Sequence, residues 1–283
     1  MMKKVVLLLV AVCFSVFSFA QDAAEKINQA NEALQNKDYA KALELYESAM
    51  SNLGDVQVPD AINYNIGLAA YNSDNYEKAI QYFEKAVAAN ANVDKSYEYM
   101  ANAYAKMDKT NEALEAYTQA IQANPDDMAS LSYNAGIVAY KGKEYNKAVA
   151  LFTAAVEGDY KGETAQYYKA VALNKLNMDS EYKAALEEGV SKFAGDKNLS
   201  KALANVYVSE GNELYKKGAE ILSAANTKVN DGSMSTADDA YAAEVAKAKK
   251  EFAAALEVLD KAAGLDASNA NAQKLIEACK AAM

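Results

Sequence analysis

The sequence predicts an all-α fold of stacked helical pairs, and three observations carry that prediction. About a fifth of the residues are Ala and only two are Pro. That composition favours helices, because Ala loses no side-chain entropy and Pro breaks helix interiors. Next, Ala is followed four residues on by an aromatic and three further by Ala, at Ala42-Tyr46-Ala49, Ala79-Phe83-Ala86, Ala113-Tyr117-Ala120 and Ala148-Phe152-Ala155. The leading Ala residues stand 37, 34 and 35 apart, a period that signals a repeat architecture. Finally, apolar or Ala residues at 245, 248, 252, 255, 259 and 262 alternate by three and four, the spacing of a coiled-coil seam.

Before the repeats lies a short leader. Lys3 and Lys4 open it, a mostly apolar run follows from Val5 to Phe17, and Ser18-Phe19-Ala20 offers small residues for a peptidase. This predicts a secretory signal peptide over 1–20. The run is shorter than the roughly 20 residues of a spanning helix, so no integral membrane span is expected. Cleavage leaves Cys279 as the one cysteine. It is expected to pack on a terminal helix, with stability resting on packing rather than on a disulfide.

Over 21–196 each repeat is expected to hold two amphipathic helices. The second helix carries the Ala-aromatic-Ala spacing. Three residues before its leading Ala stand Tyr39, Tyr76 and Tyr145, with Thr110 in their place in the third repeat. The first helix pairs a small residue with a Tyr, as in Gly67 with Tyr71, Ala101 with Tyr104 and Gly136 with Tyr140. Asn90-Ala91 and Asn124-Pro125-Asp126 punctuate the ends. One pair cannot bury its own apolar face, so the pairs must stack. A fifth repeat, 163–195, fits the pattern poorly, with Glu188 and Ser191 where an aromatic and Ala are expected.

At these residues the chain resembles the tetratricopeptide repeat family, most closely from Ala23 to Lys161. The resemblance implies a right-handed α-α superhelix of about five repeats, whose first helices line a concave groove for an extended peptide or a partner's helix. The family's Trp early in the first helix is replaced by Asn63, Tyr97, Ser132 and Tyr168, and only Pro125 keeps the closing proline. Carried over unit by unit, the implied peptide-binding groove comprises Asn31, Tyr64, Asn65, Asn72, Lys95, Tyr99, Asn102, Lys106, Tyr133, Asn134 and Lys141. Asn can both donate to and accept from a peptide backbone, and Tyr offers stiff apolar area with a polar tip. One subtype's carboxylate clamp is matched at Asn31, Asn65 and Lys95, but Ile27 and Tyr99 stand where it needs basic residues.

Residues 197–283 depart from the pattern. One helix is expected from about Asn198 to Lys228 and another from about Thr236 to Gly264, lengthened into a hairpin that contains a divergent repeat. Asn230-Asp231-Gly232-Ser233 reads as its turn, and Thr236 with Asp239 resembles a capping box. A final helix over about 269–282 should cap the stack.

Composition closes off most chemistry. His, Trp and Arg are absent and the net charge is −10. Without His there is no imidazole shuttle, His-ligated zinc or Ser-His-Asp triad. An acidic chain without Arg matches nucleic acid poorly. Glu187-Glu188 and Asp238-Asp239 are sequence neighbours that do not face each other on a helix. No cofactor and no enzymatic activity are therefore expected. The expected function is a scaffold or adaptor in a bacterial envelope, periplasmic or secreted, that binds a protein or peptide partner. The alternative is a self-associating spacer that dimerises through the hairpin.

Overall fold

The structure is a computed structural model that describes residues 21–53 and 56–283. The expected signal peptide lies outside the described residues. Every regular element described is helical. Contacts divide the chain into two compact units, through Tyr160 and from Lys161 onward.

The first unit holds four helical pairs. Its helices are α1 (described over 21–35), α2 (Tyr39–Met50), α3 (Ile62–Asn72), α4 (Tyr76–Ala88), α5 (Val93–Lys106), α6 (Thr110–Ala123), α7 (Met128–Lys141) and α8 (Tyr145–Glu157). A 3-10 turn, Pro125–Asp127, precedes α7. From α2 onward each helix packs on the next in sequence, as short connections between antiparallel helices require.

The turn inside each pair has one design. A single residue takes positive φ: Lys37 at 62°, Asp74 at 58°, Asp108 at 58° and Lys143 at 65°. The next N–H reaches back to a carbonyl of the finished helix, as in Asp38 to Ala33 at 2.8 Å and Glu144 to Ala139 at 2.8 Å. This closure satisfies carbonyls that the helix end would otherwise orphan. Asp38 and Asn75 then cap α2 and α4 by accepting N–H bonds.

The core of this unit alternates. The aromatic at the centre of each second helix is Tyr46, Phe83, Tyr117 and Phe152 in turn, and all four are buried. Fifteen residues before each stand Asn31, Leu68, Asn102 and Ile137. The Tyr46 hydroxyl donates to Asn31 Oδ1 at 2.5 Å, and that of Tyr117 to Asn102 Oδ1 at 2.7 Å. Phe83 and Phe152 lack a hydroxyl, and an aliphatic residue stands at that register. A buried hydroxyl needs a partner and a phenyl ring does not, so the two positions change together. One residue earlier the series runs Ala30, Gly67, Ala101, Gly136. The Phe rings press against the two glycines, where an added Cβ would lie 2.7 Å and 2.8 Å from ring carbons. The structural unit is thus two pairs, and it occurs twice.

The second unit contains α9 (Gly162–Lys175), α10 (Asp179–Lys192), α11 (Lys197–Asn230), α12 (Asp239–Leu265) and α13 (Ala270–Ala282). The α9–α10 turn repeats the same closure, with Asn177 at φ 56° and Met178 N–H to Leu173 O at 3.1 Å. The fifth pair therefore keeps the repeat's backbone although its side-chain pattern lapsed, and it groups with the second unit. At 1.5 Å per residue, α11 with 34 residues and α12 with 27 are roughly 50 and 40 Å long. Their seam buries Ala248, Phe252, Ala255, Leu259 and Ala262. Gly218 and Gly211 admit Phe252 and Leu259 at close range. The seam that sequence spacing marked is thus filled by the hairpin's own partner helix.

The expected capping box at Thr236 and Asp239 does not form. Asp238 is the N-cap of α12, and its carboxylate accepts the N–H of Ser235 at 2.7 Å, closing the turn rather than capping the helix. In α13, Cys279 is buried against Ala255 and Leu259, and burial raises its thiol pKa.

Candidate functional site

Four of the predicted groove residues converge. Asn102 and Lys106 from α5 and Asn134 and Lys141 from α7 line one open cavity of about 560 Å³, together with Tyr71, Ala105, Asp108, Thr110, Tyr117, Ile137, Val138 and Gly142. Their spacing explains the convergence: residues four or seven apart on a helix share a face, and α5 and α7 are first helices of successive pairs.

The cavity has a local cause. In the second pair Tyr71 and Tyr76 pack edge-on with centroids 5.7 Å apart, and in the fourth Tyr140 and Tyr145 do so at 5.6 Å. The matching positions of the third pair are Ala105 and Thr110. Two rings are missing where the cavity opens. Thr110 lies against Gly142, so close that a Cβ there would meet its methyl at 2.4 Å.

Polar groups in the cavity are oriented. Asn102 accepts the Tyr117 hydroxyl on its carbonyl oxygen, leaving its N–H groups as donors. Burial raises the Tyr117 pKa, so that hydroxyl stays protonated and donating. Lys106 and Lys141 are exposed and make no ion pair among the described residues. They outnumber Asp108, the one acid in the lining.

The other seven predicted residues do not line this cavity. Asn31 accepts from Tyr46, and Asn65 reaches the same hydroxyl from α3. Burial pushes the Tyr46 pKa up to about 12, and Asn65, by donating, lowers it in part. Asn72 donates to Leu68 O in its own helix at 2.8 Å. Lys95 bonds Glu98 at 3.0 Å and Asp127 at 3.1 Å, and these carboxylates raise its pKa. Tyr99 stacks on Phe83 at 5.5 Å, with Tyr64 edge-on to it at 6.2 Å. Burial pushes Tyr64 up to about 12 and raises Tyr99. Tyr133 is buried against Phe152 and Tyr160 at 6.0 and 5.7 Å.

The carry-over of groove positions did not reach Tyr71, Asp108 and Thr110. The interrupted aromatic series at Thr110 was the signal that marked the place.

The second unit has its own polar cleft of about 720 Å³ along α10 and α11, lined among others by Asn174, Asp179, Tyr182, Lys183, Asn205 and Glu213. Its lysine is already held: Lys183 meets both Glu210 carboxylate oxygens at 2.8 Å and lies over the Tyr207 ring. Among the described residues no group of three or more His, Cys, Asp or Glu could hold a metal ion. No described helix is long and apolar enough to cross a membrane.

Comparison with known proteins agrees with the fold. A family model described as tetratricopeptide repeat matches residues 27–94 and 100–164, each stretch spanning two pairs. An Hsp70-Hsp90 organising protein of Plasmodium falciparum is 33% identical over 125 residues, covering 42% of this chain and 22% of that protein. A peroxisomal targeting signal receptor of Candida glabrata is 24% identical over 181 residues, covering 62% of this chain and 28% of that protein. The chain thus spans about a quarter of the length of either relative. The solved structure of a tetratricopeptide repeat protein from Parabacteroides merdae superposes with a TM-score of 0.51 at 18% identity, covering 92% of this chain and 99% of that one.

Proposed function

Residues 27–94 and 100–164 being tetratricopeptide repeats, we propose that this protein is a non-catalytic scaffold or adaptor whose Asn102–Lys141 cavity holds an extended segment of a partner protein. Repeats of this kind mediate protein–protein interaction, and the names of two relatives, an organising protein and a targeting-signal receptor, suit an adaptor. The observation that carries the reading is the convergence of Asn102, Lys106, Asn134 and Lys141 on one open cavity. Two amides and two ammonium groups supply donors for backbone carbonyls and carboxylates. The signal-like leader supports an envelope location, periplasmic or secreted. No observation favours the self-associating spacer, since the hairpin seam is filled within the chain.

The test is capture of partners from the native envelope fraction with the tagged chain and with a Lys106→Ala, Asn134→Ala, Lys141→Ala variant. A partner held by the first and lost by the second, at equal helical content, supports the reading. A partner held equally by both overturns the cavity assignment.

A further inference from the structure

We infer that the cavity takes an aromatic side chain, tyrosine or phenylalanine, from the partner segment, in the place that the neighbouring pairs fill with their own tyrosines. The inference rests on the reading of this cavity as the partner site.

The repeat itself shows what fits there. The second and fourth pairs each place two tyrosine rings at this corner, Tyr71 with Tyr76 and Tyr140 with Tyr145. The third pair has Ala105 and Thr110, and the room those rings would occupy is open. A volume of about 560 Å³ falls within the roughly 300–1,000 Å³ typical of ligand sites.

The walls suit a ring. Tyr71 lines one side, and its own ring is fixed by Tyr76 at 5.7 Å and Tyr99 at 5.2 Å. Ile137 and Val138 line the cavity from α7. An incoming ring can meet Tyr71 edge-to-face, the arrangement aromatic quadrupoles favour, and its apolar faces meet the aliphatic pair. An aromatic side chain also brings this area with few rotatable bonds to freeze.

The rim specifies the neighbour of that ring. Lys106 and Lys141 are both exposed and without an ion pair among the described residues, against the single acid Asp108. An acidic residue next to the aromatic complements them. Asn102, with its oxygen committed to Tyr117, donates to the segment's backbone carbonyls.

Four synthetic peptides test this: acetyl-Gly-Ser-Tyr-Asp-Ser-Gly-amide, and its counterparts with Leu for Tyr, Ala for Tyr, and Lys for Asp. Each is titrated against the full chain by ligand-observed NMR. The Tyr-Asp peptide is expected to bind about tenfold or more tightly than the Leu and Ala peptides, and severalfold more tightly than the Tyr-Lys peptide. Thr110→Tyr restores the ring of the neighbouring pairs, and Ala105→Tyr does so from the other helix. Either variant should abolish binding with helical content kept and thermal stability equal or higher. If Leu and Tyr peptides bind alike and both are lost in the filled variants, the cavity still holds a segment but the aromatic inference is overturned. If the filled variants bind as the parent does, both this inference and the cavity reading fall. Absence of binding by all four peptides overturns the aromatic inference alone, because partner capture tests the cavity reading separately.

Discussion

Tyr117 and Asn102 act as one unit, because the buried hydroxyl and the carbonyl oxygen satisfy each other at 2.7 Å. Asn102→Leu leaves the Tyr117 hydroxyl buried without its partner and is expected to cost about 1–3 kcal/mol in urea unfolding. Adding Tyr117→Phe recreates the Phe83–Leu68 combination of the second pair. The double variant is expected to recover part of that loss, with a coupling of about 0.5 kcal/mol or more in a double-mutant cycle. Gly67→Ala places a methyl 2.7 Å from Phe83 and is expected to cost about 1–3 kcal/mol through overpacking. The buried aromatics were legible in the sequence, because their spacing repeats. The tasks of the asparagines were not. Asn31 and Asn102 stand on the same side of their helices as groove residues, and only the hydroxyl across the pair decides what they do. The constant interval of fifteen to a Tyr, replaced by aliphatic residues before a Phe, was the sign available.

At the level of elements, the turns hold the clearest strain. Lys143 sits at φ 65°, where a residue with a Cβ is disfavoured by about 1–2 kcal/mol. Lys143→Gly should gain about 0.5–1 kcal/mol, the unfolded chain's extra freedom taking back the rest. Differential scanning calorimetry of the two chains checks it. The long helices were legible to within a few residues, since seam spacing and an Asn-Asp-Gly-Ser turn bound them on both sides. The cap at the start of α12 was not. Two acids stand side by side at 238 and 239, and the loop's own need for an acceptor at Ser235 N–H recruited Asp238. The fifth pair failed the side-chain pattern yet kept the turn, because the αL residue and its back-reaching N–H are backbone features that Asn177 supports without any aromatic.

For the molecule as a whole, a chain of 283 residues with no His and 20 Tyr should keep a level stability through neutral pH and lose it toward either extreme, in acid because carboxylates such as Glu188 and Asp266 have lowered pKa values in the fold. No side chain has an ordinary pKa between about pH 5 and 8, so stability should be level from about pH 6 to 9. Tyr46 and Tyr64 are pushed up to about 12 by burial, above the ordinary value of 10. From about pH 10 upward the unfolded chain has released phenolic protons that the folded chain still holds. The contribution of these tyrosines is therefore full below pH 10 and is lost as pH rises to about 12. Urea midpoints measured across this range check the sign, and a curve that rises above pH 10 would contradict it.

The alternation of Tyr-centred and Phe-centred pairs also bears on how such a chain can grow. Asn65 follows Tyr46 and reaches its hydroxyl, whereas Tyr99 follows Phe83 and stacks on it. Excising α3 and α4 alone would set Tyr99 after Tyr46 and take away that amide. Excising four consecutive helices, about seventy residues, would set Asn134 after Tyr46 and keep an amide behind the Tyr-centred pair. The structural block is therefore the quartet of helices, and variants of this chain shortened by four helices should keep their stability better than variants shortened by two.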